Sequence, residues 1–320
     1  HDFKDVTIMD QPAHGACTMI RSDYLIETGG YTEDFRCQDG YDLWLKFNKR
    51  YKVANINLPL FYYRQHSKSL TKDQGRLLDT RHKVIKKHVK KQNIAGKKHI
   101  CIIPVRGGEE GEPLAIRAFA ESTLLDITVN SLLATDNVSK IVITTPDDSI
   151  IKYSSKKYGK KILIDKRPEY LAALNTKLED TLDYLLKEYK EFFSRTDTIT
   201  FVNYEFPLRK SIYIDKAINT LYLYDVDAVL SVVQRNANFY RHEGDGLKEF
   251  STNKNLRLER DFIYEETGGL HTVRYPSYKK YKSIKSGKIG HIFIDEISSR
   301  QIINEYDFKM LEYLKKESLL

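Results

Sequence analysis

The stretch that most constrains the fold runs from His99 to Pro113, HICIIPVRGGEEGEP. Its apolar, β-branched run (Ile100, Ile102, Ile103, Val105) reads as a buried strand. It breaks at Arg106, Gly107 and Gly108, before a long amphipathic segment. Strand, glycine loop, helix is the order of a nucleotide site, because glycines let backbone N–H groups approach a phosphate and Arg106 adds fixed positive charge. A tight βα turn without a ligand reads the same way, so the loop takes its meaning from the elements downstream of it. Strand-like runs recur at Lys140 to Thr145, Lys161 to Ile164, Thr198 to Asn203 and Ala228 to Val233. They alternate with helix-like runs at Asp147 to Tyr158, Thr176 to Phe193 and Ser211 to Leu223. This alternation predicts a mostly parallel sheet with helices on both faces and ligands at the carboxyl ends of its strands. Arg106, Thr145, Arg167 and Arg209 all fall at or just past such ends.

With 41% hydrophobic and 30% charged residues the chain reads as globular rather than disordered. Its 320 residues suffice for two domains with separate cores, and the expected boundary divides residues 1–96 from 97–320. No apolar run approaches the roughly 20 residues that cross a bilayer, and no signal peptide is visible. Three cysteines, Cys17, Cys37 and Cys101, lie too far apart for a zinc or disulfide framework, which fits a reducing cytoplasm. The net charge of +8 is local: Arg81 to Lys98 holds eight Lys or Arg and no acid, and elsewhere the two signs balance at 44 each. That run is expected to be a solvated helix face and linker. The functional alternative is attraction of Lys86, Lys87, Lys90 and Lys91 to the anionic inner face of a membrane. Without an accompanying binding motif, nucleic acid is not an expected partner.

Upstream, Gly15 to Ile20 reads as a short strand and Arg21 to Glu27 as a short helix closed by Gly29-Gly30. Tyr31 to Trp44, YTEDFRCQDGYDLW, then packs acids and aromatics into one turn and helix start. Asp42 suits the N-cap of a helix from Leu43 to Lys49, whereas Asp39 has no such structural duty. The pieces HGACTMIRSD, ETGGYTEDF, QDGYDLWLKF and NLPLFYYRQHSKSLT cover most of residues 11–71. Together they resemble the C-terminal half of the family 2 glycosyltransferases with the GT-A fold. The resemblance implies that Asp39 is the general base on an acceptor hydroxyl. It sets Asp42 on the same acceptor side and His66 at a phosphate or metal contact. That family's nucleotide-binding half, with its Asp-x-Asp motif, would precede His1. Residues 1–96 are therefore expected to be an acceptor-side fragment, inactive as a transferase by itself.

Over residues 99–310 the pieces IIPVRGGEEGEP, VITTPDDSIIKYSSKKYG, DKRPEYLA, FPLRKSIYIDKAI and ETGGLHTV occur in a second family's order. They resemble the cytidylyltransferases that activate acidic sugars, the CMP-sialic acid synthetase group. The implied fold is α/β and nucleotide-diphospho-sugar transferase-like (Rossmann-like), preceded here by the small α/β glycosyltransferase fragment. In such enzymes an anomeric hydroxyl attacks the α-phosphorus of CTP and pyrophosphate leaves, helped by positioning, cations and Mg²⁺. The resemblance places Arg106, Gly107 and Gly108 at the triphosphate or base, and Thr145 and Arg167 on the nucleotide side. It places Arg209, Glu266 and Gly268 beside the sugar or phosphates. It further implies Mg²⁺ as cofactor and a homodimer in which the basic segment 277–288, SYKKYKSIKSGK, swaps onto the partner.

The chain departs from that family's pattern at charged positions. Glu109-Glu110 stands for Ser-Lys, Ala115 for a loop lysine, and Asn203-Tyr204-Glu205-Phe206 for Gln-Pro-Thr-Ser. The metal-binding aspartates fall on Gln301 and Ile303, and Ile303 cannot ligate a hard cation. Glu109, Glu110, Glu205, Asp295 and Glu305 remain as candidate oxygen donors, with the metal ligands unassigned. Arg257 to Asp261, RLERD, reads as a surface ion-pair stretch.

The expected function is that of a sugar-nucleotide enzyme of surface polysaccharide or glycoconjugate assembly. It would transfer CMP from CTP to an acidic sugar and be coupled in one chain to a glycosyltransferase. The expected partners are CTP or a CMP-sugar, an acidic sugar and a glycan or lipid-linked acceptor, in the cytoplasm or at the inner membrane face. The alternative is a catalytically lapsed domain kept for binding or dimerisation.

Overall fold

The computed structural model describes residues 18–35, 37–48, 50–53, 73–90, 94, 96–107, 112–235, 237–249 and 263–317. Cys17, His66, Gly108, Glu109, Glu110 and the stretch 257–261 lie outside them. Three helices come first: α1 (Ser22–Glu27), α2 (Asp39–Asn48) and α3 (Gln74–Lys90). From β1 (His99–Pro104) a small hairpin, β2 (Ala118–Phe119) and β3 (Ser122–Thr123), leads into α4 (Leu124–Leu133). Alternation then sets in with β4 (Lys140–Thr145), α5 (Asp148–Tyr158), β5 (Leu163–Lys166), α6 (Leu178–Glu188), β6 (Thr198–Val202), α7 (Ser211–Leu223) and β7 (Ala228–Arg235). A second hairpin, β8 (Tyr240–His242) and β9 (Leu247–Glu249), precedes the long β10 (Ile263–Arg274). After it come α8 (Tyr275–Tyr281), β11 (Ile289–Phe293) and α9 (Glu305–Lys316).

The main sheet has seven strands in the order β11-β7-β10-β6-β1-β4-β5, all parallel to their neighbours except β10, which runs antiparallel between β6 and β7. The period of two explains why β1 is an inner strand buried on both faces. Cys101, Ile103 and Val105 join one apolar cluster, and Ile100 and Ile102 join the other. The first cluster gathers α4, α7 and α9, and the second gathers Leu182 and Leu185 of α6 with Tyr278 of α8. This is the mostly parallel, doubly covered sheet that the alternation predicts. β10 is irregular between Glu266 and His271. There Gly268 and Gly269 take φ of +77° and +60°, and a Cβ on Gly269 would lie 2.7 Å from both Asn203 Cβ and the Phe206 ring. Only glycine meets both demands.

Three expectations need correction. The basic run is not a solvated linker: Val84, Ile85 and Val89 of α3 are buried in the same cluster as Trp44 and Leu45 of α2 and the α7 core. Two of its cations are engaged, Lys86 with Asp136 and Lys87 with Thr32 and the Phe35 ring. Next, α2 starts at Asp39 rather than at Leu43, so Asp42 lies within its first turn and caps nothing. Third, residues 18–20 form no strand, and the remainder of that expected strand lies outside the described residues. Segment 277–288 is hydrogen-bonded to its own chain. Tyr278 is buried and donates to Asp183, Ser277 donates to Asp227, and the amides of Ile284 and Lys288 donate to Glu179 and Asp227. Smaller shifts occur at β5 and α6, where α6 ends at Glu188, short of Phe193.

Candidate functional site

The carboxyl ends of β6, β1, β4 and β5 lie side by side, and an open cleft of about 410 Å³ forms over the last three. It is lined by Arg106, Gly107, Pro146, Asp147, Glu169 and the run Ala172 to Leu174. Each wall has a local cause. β4 ends at Thr145, whose hydroxyl accepts the Asp147 amide at 3.2 Å. Asp147 then caps α5, its Oδ1 accepting the amides of Ser149 at 2.8 Å and Ile150 at 3.3 Å. Gly107 passes against this cap, since a Cβ there would lie 3.4 Å from Asp147 Oδ2. The third wall is a short 3-10 turn, Glu169–Ala172, placed by Pro168.

The sequence-predicted residues separate into three groups. Arg106, exposed, and Gly107 line the cleft. Thr145 and Arg167 lie behind its wall, both buried: the Arg167 amide donates to Thr145 O at 2.9 Å, and Nη2 donates to Val105 O at 2.9 Å. Arg209 and Gly268 meet at the β6 end, where Arg209 Nη1 donates to Asn203 O at 2.9 Å and to Gly268 O at 2.8 Å. Burial pulls both guanidinia down to about 10, which still leaves them charged at neutral pH. Glu266 is more open, 2.6 Å from both His271 Nε2 and Lys285 Nζ. The hydrogen bond from His271, followed by that from Lys285, draws its carboxyl down to about 2. Sequence reasoning missed Asp147 and Glu169 as cleft residues. Only the capping position of Asp147 in PDDS signalled it, and nothing local marks Glu169.

Asp39 and Asp42 belong to a different place. Asp39 is exposed at the first residue of α2, whereas Asp42 is buried. Burial would raise the Asp42 carboxyl, but hydrogen bonds from His88, Thr32 and Lys46, together with the Lys46 charge, hold it well below the usual carboxylate range. The Asp42 carboxylate lies 2.8 Å from His88 Nε2 and 3.0 Å from Lys46 Nζ, so it clasps α2 to α3.

The described residues do not assemble a site for Mg²⁺. Gln301 Nε2 donates to Glu205 at 2.6 Å, and Ile303, at the second aspartate position, is 78% exposed. Asp295 accepts from Tyr213 and Ser298, and Glu305 takes the Arg117 fork through two 2.7 Å bonds. Among the described residues no three His, Cys, Asp or Glu converge to hold a metal. None of their helices is long and apolar enough to cross a membrane.

No family model matches the chain. It is similar to the post-translational flagellin modification protein B of Campylobacter coli, 24% identical over 227 residues, which cover 69% of this chain and 96% of that protein. Among solved structures, a CMP:2-keto-3-deoxy-manno-octonic acid synthetase complexed with CTP superposes with a TM-score of 0.51 at 10% identity, covering 69% of this chain and all of that one. The 4-diphosphocytidyl-2C-methyl-D-erythritol synthase of Anaerococcus prevotii superposes at 0.50 with 16% identity, covering 70% and 99%. The cleft of Arg106 and Gly107 thus sits in an α/β domain with a nucleotide-diphospho-sugar transferase-like fold.

Proposed function

We propose that this chain transfers CMP from CTP to the anomeric hydroxyl of an acidic sugar for glycoconjugate assembly. The observation that carries the reading is the Arg106–Gly107 cleft at the carboxyl edge of a sheet whose fold is shared with a synthetase complexed with CTP. The sugar oxygen bonds to the α-phosphorus, the bond from that phosphorus to the bridging oxygen of the β-phosphate breaks, pyrophosphate leaves, and the hydroxyl proton passes to solvent. Arg106, with the backbone of Gly107 and Gly108, neutralises phosphate charge. Thr145 shapes the nucleotide wall, and Glu266 and Gly268 border the sugar side. Mg²⁺ enters this reading only as a counter-ion of CTP, and no step is routed through it. The likeness to a flagellin modification protein supports a product destined for a glycan. Residues 1–96 are read as the acceptor side of a family 2 glycosyltransferase with Asp39 as general base, and the working unit as a cytoplasmic homodimer.

Pyrophosphate release and a CMP-sugar mass, measured with CTP and a panel of 2-keto acidic sugars, test the reading. Activity is expected to fall at least about tenfold in Arg106→Gln. A folded full chain that yields no product across the panel would overturn it. One observation favours a second reading: Gln301 and the exposed Ile303 occupy the expected metal positions. A lapsed domain of that kind binds no CTP, and CTP then leaves its melting temperature unchanged.

A further inference from the structure

The two rim arginines next to the cleft do not open into it. Arg167 is 4% exposed and Arg209 5%, and neither is among the lining residues. Buried guanidinium ions normally take a carboxylate partner, yet neither forms an ion pair with a described acid. Asp165, two residues before Arg167, acts on it through its charge, while its oxygens accept the hydroxyls of Thr144 at 2.6 Å, Tyr184 at 3.2 Å and Tyr189 at 2.9 Å. Each arginine instead holds main-chain carbonyls at the sheet edge. Arg167 Nη2 takes Val105 O, the carbonyl just before Arg106, while its Nη1 reaches Thr181 Oγ1 on α6 at 3.3 Å. A single nitrogen of Arg209, Nη1, takes Asn203 O and Gly268 O together, joining the end of β6 to the irregular turn of β10. A rigid planar fork suits this duty, because its donors point in fixed directions and hold two acceptors in one geometry.

We infer that Arg167 and Arg209 are positioning residues: Arg167 braces the loop that presents Arg106 and Gly107, Arg209 braces Asn203 against Gly268, and neither touches a phosphate. The last clause rests on the proposed CTP reading, whereas the braces themselves do not. A guanidinium shielded from water is held by the carbonyl dipoles it organises, here through the terminal nitrogens, with the Nε of both arginines buried and unpartnered.

Amide hydrogen exchange on the full chain tests the braces without a ligand. In Arg167→Met the Val105 amide, bonded to Thr144 O at 2.9 Å, is expected to lose protection by about tenfold or more, with the Asn203 amide unchanged. In Arg209→Met the pattern reverses, through the Asn203 amide that donates to Gly269 O at 2.9 Å. Arg167→Lys keeps the charge, loses the fork and covers the case of a Met variant that does not fold; it should expose Val105 as Met does. Wild-type protection at the braced amide in any folded variant overturns the inference. Titration with CTP and CMP supplies the second arm. A brace variant should weaken both nucleotides by the same factor, within about twofold, while Arg106→Gln lowers the CTP-to-CMP affinity ratio. A collapsed ratio in an Arg167 or Arg209 variant overturns the inference. If the wild-type chain binds neither nucleotide, the proposed function fails, and the exchange data alone decide the braces.

Discussion

Lys216, on α7, is 1% exposed, and its ammonium donates to the Phe293 carbonyl at 3.1 Å. Burial, reinforced by the like charge of Arg81, pulls this lysine down to about 7 from the ordinary 10.5, with Asp79 opposing. Between those values the unfolded chain binds the proton and the folded one does not, so stability rises with pH through that window; below about 7 both states are charged and the cost is complete. Replacing a buried ammonium by an apolar chain of similar volume removes that cost. Lys216→Met is expected to stabilise the protein by about 1–3 kcal/mol at neutral pH and to flatten the rise in stability above it. Urea denaturation between pH 7 and 10 checks both effects, and an unchanged slope counts against the assignment. In the sequence Lys216 follows Asp215 in IYIDKAI, and nothing local marks it as buried. Its environment is made by α3, which is remote in sequence.

The fate of α3 shows what periodicity carries and what it does not. Val84, Ile85, His88 and Val89 recur at helical spacing, so a helix was legible, and its packed face was legible in principle. The eight cations around them pointed the other way, because long basic side chains usually mark solvent. Lys86 reaches Asp136 from the helix rim while the apolar stripe packs on α7. A solvated linker would tolerate Ile85→Ala at almost no cost. The docked helix predicts a loss of about 2–4 kcal/mol, seen as a lower urea midpoint in the whole chain. The same burial decides the role of Asp42. Read locally it is a cap, and in the fold it is the acid that joins His88 of α3 to Lys46 of α2.

At the scale of the whole molecule, one apolar cluster runs from Tyr41 and Trp44 through Val84 and Val89 to α7 and the sheet. A cut between residues 96 and 97 would expose the α7 surface that α3 covers. Residues 97–320 alone are therefore expected to melt at least about 5 °C below the full chain or to aggregate, and an equal melting temperature would show independent domains. Much of the architecture was open to a reader of the sequence. Near-continuous β-branched runs can only be buried parallel strands, and their alternation with amphipathic helices leaves few topologies. This is why β1, β4 and α7 fall where the pattern puts them. The antiparallel insertion of β10 was not open in this way, because strand direction is a matter of pairing between distant segments. The site divides along the same line. Its loop, its glycines and the positions of its arginines follow from local chemistry, which the chain states residue by residue. Which arginine meets the cleft and which turns inward to hold a carbonyl depends on side-chain direction and burial. Those are set only when β1, β4, β5 and β6 lie edge to edge, and the tertiary structure alone decides them.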